Sequence, residues 1–203
     1  MEVDRSALLG EVAKEISSCR ACPLHESRTN PVPGEGDPNA EIMLIGEAPG
    51  RVEDSTGRPF VGPAGRLLNE ALARAGISRE RVFITNVVKC RPPGNRDPRP
   101  EEVERCSRFL ERQVRIIRPA LILALGRHSS RLMFREMGRR FSSILSVRGR
   151  PVRGSVFGVD VVVLPTIHPA AALYNRRLEP LLMRDVALAV QLVRGAGGLE
   201  GEL

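Results

Sequence analysis

The chain has 203 residues, of which 42% are hydrophobic and 27% charged, proportions typical of a globular protein and unlike those of disordered or fibrous chains. It carries 31 basic and 24 acidic residues, a net charge of +7, and no apolar run reaches the roughly 18 residues of a membrane span. The opening MEVDRSALLG also lacks the layout of a signal peptide. We therefore expect one domain over residues 1–203, in an intracellular, cytoplasmic monomer without membrane contact.

The apolar periodicity and the turn residues predict helices that alternate with strands. The predicted elements are, in chain order, a helix over 6–18 with Ser6 as N-cap, a strand over 41–46, a helix over 65–76, a strand over 81–88, a helix over 100–117, a strand over 120–126, a helix over 127–137, a hairpin or irregular connection over 147–158, a strand over 159–165, a final helix over 179–194 and a frayed end over 195–203.

These four strands are continuously apolar, which is typical of a parallel sheet covered on both faces. The pattern predicts an α/β fold, a single three-layer α/β/α domain with a mainly parallel four-stranded central sheet. Ligands bind beyond the carboxyl ends of the strands in such sheets. We therefore expect the segments GEAPG (46–50), Asn86 and HPAAA (168–172) to line one edge.

Two of the 31 basic residues, Lys14 and Lys89, are lysines, and the remaining 29 are arginines. Arginine binds phosphate through two parallel hydrogen bonds, so a basic surface of this kind suits a polyanion such as DNA. Codon usage or heat adaptation produces the same composition, and composition alone leaves these alternatives open. With 3% aromatic residues and no tryptophan, we expect no broad stacking platform for single-stranded nucleic acid, and any stacking must rely on one or two rings.

Four cysteines form a C-x2-C pair followed by a distant C-x15-C pair: Cys19, Cys22, Cys90 and Cys106. In an intracellular chain this pattern favours thiolate ligands over disulfides. The spacing alone leaves zinc, an iron–sulfur cluster and unligated buried cysteines open. A cluster at this point would hold the arginine-rich loop 89–100 in place against DNA.

Three positions are candidates for chemistry because polar residues follow predicted strands directly. Glu47 lies in a tight turn between Gly46 and Gly50, and the long loop behind it is of a length that is usually functional, with a solvated acidic loop as the alternative. His168 precedes a proline after the fourth strand, although a single histidine is more often structural. Asn86 ends the second strand, where its amide either caps a turn or offers a donor and an acceptor to a base edge.

The motifs GEAPG, GRPFVGPAG, TNVVKCRPPGNRDP and HPAAA, in this order with the four cysteines, resemble the iron–sulfur (family four) uracil-DNA glycosylases. The resemblance extends from about Cys19 to the final helix. The related family-five enzymes share the cysteines but have alanine where Glu47 stands. The resemblance implies the uracil-DNA glycosylase fold and a [4Fe–4S] cluster held by the four cysteines.

The same resemblance implies a DNA-repair enzyme that hydrolyses the N-glycosidic bond of uracil in single- and double-stranded DNA. The base is flipped out of the stack, free uracil is released and an abasic site remains. In this reading His168 donates a hydrogen bond to uracil O2 and stabilises the leaving anion. Asn86 reads the O4 and N3–H edge, and Phe60 stacks on the flipped ring.

The resemblance also assigns roles to the first turn and its loop. Glu47 positions or polarises the attacking water, and the main chain of Gly46 and Ala48 contacts uracil O2. Other families of uracil glycosylase have aspartate at the position of Ala48. Glu53 is a secondary candidate that shapes the pocket against the thymine methyl group.

Beyond His168, the segment containing Ala172 and Leu173 is expected to enter the minor groove and to place an apolar side chain in the vacated stack, with Arg176 holding phosphate. An ordinary helix start is the alternative. Since glycosylases that also cut the backbone commonly use a lysine Schiff base, a chain with two lysines is expected to be monofunctional. A glycosylase for several deaminated bases, a non-catalytic redox-sensing DNA-binding protein and a zinc-dependent nucleotide hydrolase are the competing hypotheses.

Overall fold

The computed structural model describes residues 4–197, so most of the frayed end predicted for 195–203 lies outside the described residues. The helices are α1 (Arg5–Ser18), α2 (Leu24–Ser27), α3 (Arg51–Thr56), α4 (Pro63–Arg74), α5 (Pro100–Ile117), α6 (Gly126–Glu136), α7 (Ile144–Val147), α8 (Pro169–Tyr174) and α9 (Glu179–Gly197). The strands are β1 (Glu35–Gly36), β2 (Ile42–Gly46), β3 (Phe83–Asn86), β4 (Leu121–Leu125), β5 (Val152–Val156) and β6 (Val159–Thr166). Of the helices in residues 4–197, none is both long and apolar enough to cross a membrane.

The strands form one sheet in the order β1-β3-β2-β4-β6-β5. The four central strands are parallel and are the four that the sequence predicts, which confirms the α/β class. The sheet nevertheless has six strands, because β1 and β5 add to its two edges in antiparallel orientation. The prediction of four strands missed β1, which has two residues, and β5, whose half-exposed sequence VRGSV lacks a continuous apolar run.

The sequence predicts a hairpin or an irregular connection over 147–158, and the structure has a hairpin in part of this range. Strands β5 and β6 are joined by Phe157 and Gly158, both with positive φ (53° and 78°). Two positive φ values are characteristic of the tight turn whose twist matches that of the flanking strands. This turn brings β5 back along the edge of the sheet.

Alternating residues of the central strands enter two hydrophobic cores, which gives the predicted three layers. In β2, Met43 and Ile45 pack with residues of α1, α5 and α6 on one face. Ile42 and Leu44 pack with residues of α4 and α9 on the other face. Burial on both faces explains why the strands are apolar at every position.

Several boundaries differ from the sequence prediction for local reasons. Helix α1 is capped by Asp4, whose Oδ1 accepts from the Ala7 N–H at 2.9 Å, so the predicted N-cap Ser6 already lies inside the helix. Helix α5 has the predicted bounds, with proline at its first position. The stretch that the sequence predicts as loop after Glu47 contains α3, whose six residues are too few to show helical periodicity.

Candidate functional site

A cavity of about 310 Å³ lies at the carboxyl edge of the parallel strands. It is lined by residues at or just beyond the ends of β2, β3 and β6, among them Glu47, Asn86 and His168. The structure therefore brings together the three segments that the sequence analysis places at this edge. Ala48, Glu53 and Phe60 also line the cavity. Its size is within the range of pockets that bind small molecules.

His168 is held as a neutral hydrogen-bond donor. It is the N-cap residue of α8, and its Nδ1 accepts the N–H of Ala170 at 3.2 Å. Burial lowers the pKa of His168 to about 4, against the opposing effect of the Glu53 carboxylate. The ring is neutral near pH 7, and because Nδ1 acts as acceptor, the proton resides on Nε2. Nε2–H is thus the group with which His168 can donate to a ligand.

Phe60 lies beside His168, with their ring centroids 5.7 Å apart and their planes at 35°. Its backbone has a φ of 50°, a left-handed conformation that is uncommon for a bulky residue. Arg79 fixes this conformation by donating from Nη1 to the Phe60 carbonyl at 3.1 Å. The close packing also requires Gly46, because a Cβ at that position would lie 2.5 Å from Phe60 Cζ and 2.4 Å from Asn86 Oδ1.

Glu53 also stabilises the turn that contains Phe60. It is a buried residue of α3, and its Oε1 accepts the backbone N–H groups of Val61 at 3.0 Å and Gly62 at 2.8 Å. The carboxylate therefore has a structural task, since it fixes the segment that presents the aromatic ring to the cavity.

Asn86 carries an unusual polar atom. The residue is 1% exposed, and its Oδ1 is buried without a hydrogen-bond partner in the part of the chain that the structure describes. An orphaned buried acceptor costs about 1–3 kcal/mol. An unpaired acceptor in a residue that lines a cavity is typical of a group that pairs with a ligand.

Glu47 belongs to a charged cluster that the sequence analysis did not anticipate. His128 Nε2 lies 3.8 Å from Glu47 Oε2 and 3.3 Å from Asp97 Oδ2, and Arg127 pairs with Asp97. Burial raises the pKa of Glu47, while the His128 ring lowers it and the Asp97 carboxylate raises it. The ionisation of Glu47 is therefore set by side chains from α6 and from the loop before α5.

The rim of the cavity carries exposed apolar side chains at the end of α8. Leu173 is 41% exposed and Tyr174 is 94% exposed, and Tyr174 also lines the cavity. Arg176 follows, with its side chain 85% exposed. Ala172 differs from its neighbours because it is fully buried and packs in the core between α4 and α9, so its side chain does not reach the surface predicted for it.

The four predicted ligand cysteines come together in a second pocket. None forms a disulfide. Three of the sulfurs accept N–H groups: Cys90 from Arg28 Nη1 at 3.0 Å, Cys106 from the backbone of Lys89 at 3.3 Å, and Cys19 from Arg108 Nη2 at 3.7 Å.

The spacing of these sulfurs can be compared with that in the metal centres that the sequence leaves open. A tetrahedral zinc site brings four sulfurs to about 3.8 Å of one another. Within residues 4–197, the group of three or more ligand side chains whose atoms all lie within 4.8 Å of one another is Glu47, Asp97 and His128, so no three of the cysteine sulfurs lie this close together. Such spreading, with N–H donors to sulfur, fits an iron–sulfur cluster in which each thiolate binds a different iron.

Comparison with known proteins identifies the family. Residues 33–190 match the family described as the uracil DNA glycosylase superfamily. The chain belongs to this superfamily. A type-4 uracil-DNA glycosylase of Sulfurisphaera tokodaii is 52% identical over 178 residues, which cover 87% of this chain and 81% of that protein.

Further relatives separate the type-4 members of the superfamily from the type-5 members. A type-4 uracil-DNA glycosylase of Thermotoga maritima is 46% identical over 195 residues, 95% of this chain and 98% of its own length. A type-5 enzyme of Thermus thermophilus is 38% identical over 173 residues, 70% of this chain and 77% of its own length. Both comparisons confirm the resemblance drawn from the motifs, and the higher identity and coverage lie with the type-4 relatives.

Within this superfamily fold, three residues of the site were not identified from the sequence patterns: His128, Asp97 and Tyr174. His128 was available from the same rule that found His168, because it lies three residues after the end of the parallel strand β4, at the end where ligands bind. Asp97 had no local signal, since its position beside His128 depends on how the loop after β3 folds over α6. For Tyr174, the one tyrosine of the chain, the signal in the sequence was its proximity to His168.

Proposed function

We propose that this chain hydrolyses the N-glycosidic bond between uracil and deoxyribose in single- and double-stranded DNA. It releases free uracil and leaves an abasic site. The observation that carries this proposal is one cavity that combines a neutral histidine donor, an unpaired asparagine acceptor and a carboxylate, in a member of the uracil-DNA glycosylase superfamily. A base enters such a cavity only after it has been flipped out of the helix.

Asn86 and Phe60 select the base. Uracil presents an O4 acceptor and an N3–H donor, which the amide of Asn86 matches with its own donor and acceptor. Cytosine presents the reverse pattern at these positions and would leave the buried amide unpaired, at a cost of about 1–3 kcal/mol. The orphaned Oδ1 of Asn86 supports this assignment, because it becomes satisfied when it accepts N3–H. Phe60 stacks on the ring.

His168 stabilises the leaving group. As the glycosidic bond breaks, the bonding electron pair remains on uracil, and negative charge accumulates on O2. A neutral imidazole that donates Nε2–H to O2 stabilises this anion without transferring a proton. The main chain of Gly46 and Ala48 lies in the turn that faces the same atom and offers further N–H donors.

Glu47 serves the opposite side of the bond, where positive charge develops on the sugar. Its carboxylate orients the attacking water and stabilises the charged sugar. Alanine at position 48 leaves Glu47 as the acidic residue of this turn. Glu53 acts indirectly by fixing Phe60 through the Val61 and Gly62 amides, and so shapes the pocket.

DNA is held at the rim of the cavity. Leu173 and Tyr174 are the apolar side chains that can enter the minor groove and fill the space left by the flipped nucleotide. Arg176 binds phosphate. Because Ala172 is buried, we assign no DNA contact to its side chain.

Cys19, Cys22, Cys90 and Cys106 hold a [4Fe–4S] cluster. When bound, the cluster supplies a cross-link between the end of α1, the loop after β3 and helix α5, and it takes no part in bond cleavage. We further infer one domain over residues 1–203 and a monomer that works inside the cell on chromosomal DNA, without membrane contact.

The lysines support a monofunctional enzyme. Lys89 is 1% exposed and donates to three protein oxygens, so it is not available to attack a sugar. Lys14 lies on the exposed face of α1. No lysine therefore lines the cavity, among the residues described.

The decisive experiment incubates the purified protein with an oligonucleotide that contains a single uracil and then cleaves abasic sites with hot alkali. We expect a cleaved product only after alkali, and strongly reduced product with His168→Ala and Glu47→Ala at an unchanged brown colour. Full activity of both variants would refute the site. DNA binding that ignores uracil, without base release, would favour the non-catalytic alternative, and release of hypoxanthine or xanthine would favour the broader one.

A further inference from the structure

Lys89 is a lysine in the protein interior, between the four cysteines and the cavity. Its side chain is 1% exposed. The ammonium donates to Thr85 Oγ1 at 2.6 Å, to the Asn86 carbonyl at 2.8 Å and to Gln113 Oε1 at 2.7 Å. An ammonium has three N–H donors, so these contacts satisfy all of them. All three acceptors are uncharged oxygens.

Among the described residues, no carboxylate forms an ion pair with Lys89. A buried cation without a counter-charge is strongly disfavoured. The backbone N–H of Lys89 donates to Cys106 Sγ at 3.3 Å, and Lys89 lines the same pocket as Cys90 and Cys106. Thiolates around a cluster would supply the missing charge.

The position of Lys89 in the chain connects two sites. It stands three residues after Asn86 and directly before Cys90, and it lines the cysteine pocket. Its ammonium donates to the carbonyl of Asn86, a residue that lines the other cavity. One side chain thus reaches from the cysteine pocket to the main chain of the residue that reads the base.

We propose that Lys89 is a positioning residue with two tasks: its ammonium is the buried counter-charge of the four-thiolate cluster, and it fixes the end of β3 that carries Asn86. The second task rests on the proposed function, since it assumes that Asn86 reads uracil. The first depends only on the cluster.

The first test measures the cluster and does not require activity. Lys89→Met keeps the length of the side chain and removes its charge, and Lys14→Met makes the same change at the exposed lysine of α1. Removing a nearby positive charge disfavours the reduced cluster. By protein-film voltammetry, we expect a more negative reduction potential for K89M than for the wild type and K14M. Equal reduction potentials in the wild type, K89M and K14M would overturn the proposal that Lys89 is the counter-charge.

The second test measures the positioning of Asn86. Thr85→Val removes one acceptor of the ammonium and keeps its charge, so the potential should be unchanged while kcat/KM for uracil release falls about tenfold. A wild-type kcat/KM in T85V would overturn the positioning task. Loss of iron from K89M, with iron retained in T85V and K14M, would also support the counter-charge, whereas loss of iron from both K89M and T85V would overturn it.

These readouts separate the inference from the proposed function. A wild-type protein that releases no uracil refutes the glycosylase assignment, but the comparison of potentials between K89M and K14M still decides the counter-charge. Uracil release with equal potentials and an unaffected T85V refutes the role of Lys89 alone.

Discussion

The cavity at the sheet edge and the cysteine pocket are formed in part by residues close together in the chain, but their polar groups differ. In the cavity at the sheet edge, Asn86 Oδ1 is buried without a partner in the described chain, and the rim exposes Leu173 and Tyr174. In the cysteine pocket, which Cys90 enters four residues later, N–H donors already point at the sulfurs.

The difference shows what each pocket is built for. Polar groups left unpaired cost stability, so they persist where a ligand pairs with them for part of the time. Donors that converge on sulfur stabilise a negatively charged group that stays in place. The cavity is thus suited to a ligand that enters and leaves, and the cysteine pocket to a permanent support.

The largest effect is expected from a substitution in the cysteine pocket. Cys106→Ser removes one of the four sulfurs and the acceptor of the Lys89 N–H. We expect loss of iron and of the absorbance near 400 nm, with a decrease in the free energy of unfolding on the order of several kcal/mol. Iron analysis and thermal unfolding test this, with Ser107→Ala on the same helix as control, expected within about 0.5 kcal/mol. Full iron content in the Cys106 variant would contradict the ligand set.

The next effect falls on the cavity alone. His168→Ala removes the donor to uracil O2, and we expect a decrease in the single-turnover rate of uracil release of about 10²- to 10³-fold. Iron content should be unchanged, because His168 lines the cavity and not the cysteine pocket. A decrease below tenfold would show that another group carries the charge of the leaving base.

A smaller effect tests how tightly the cavity is packed. Gly46→Ala places a Cβ about 2.4 Å from Asn86 Oδ1 and about 2.5 Å from the Phe60 ring, which costs roughly 1–3 kcal/mol of packing strain. We expect a lower kcat/KM and a lower melting temperature. Gly10→Ala in α1 is the control, because a Cβ there meets nothing within 4 Å and alanine favours a helix by about 0.5–1 kcal/mol. Equal behaviour of the two variants would contradict the packing.

The smallest effect concerns the ionisation of Glu47. Release should rise with pH as Glu47 loses its proton. His128→Gln removes the ring that lowers the pKa of Glu47, so this rise should move to higher pH, whereas Asp97→Asn removes the carboxylate charge that raises this pKa and should move the rise to lower pH. On the acidic limb, the rate at a fixed pH should therefore fall about threefold in the first variant and rise by a similar factor in the second. Shifts of the same sign in both variants would exclude this coupling.

Local patterns predicted most of the framework. The bounds of α5 follow from Pro100 and a regular apolar stripe, and the four central strands follow from continuous apolar runs. Helix α3 and strands β1 and β5 escaped prediction because they are short or half exposed, and contacts elsewhere in the chain stabilise them. In the candidate site, the strand-end rule predicted that Glu47, Asn86 and His168 lie at one edge of the sheet, and all three line the cavity there.

The sequence by itself determined the order of the elements, the edge at which the polar residues gather and the four cysteines, because each depends on residue type and short-range spacing. The tertiary structure alone decided that Ala172 is buried, that Glu53 anchors the Phe60 turn, that His128 and Asp97 flank Glu47, and that Lys89 lies between the two pockets. These facts depend on contacts between distant segments, whose burial and charge no local pattern encodes.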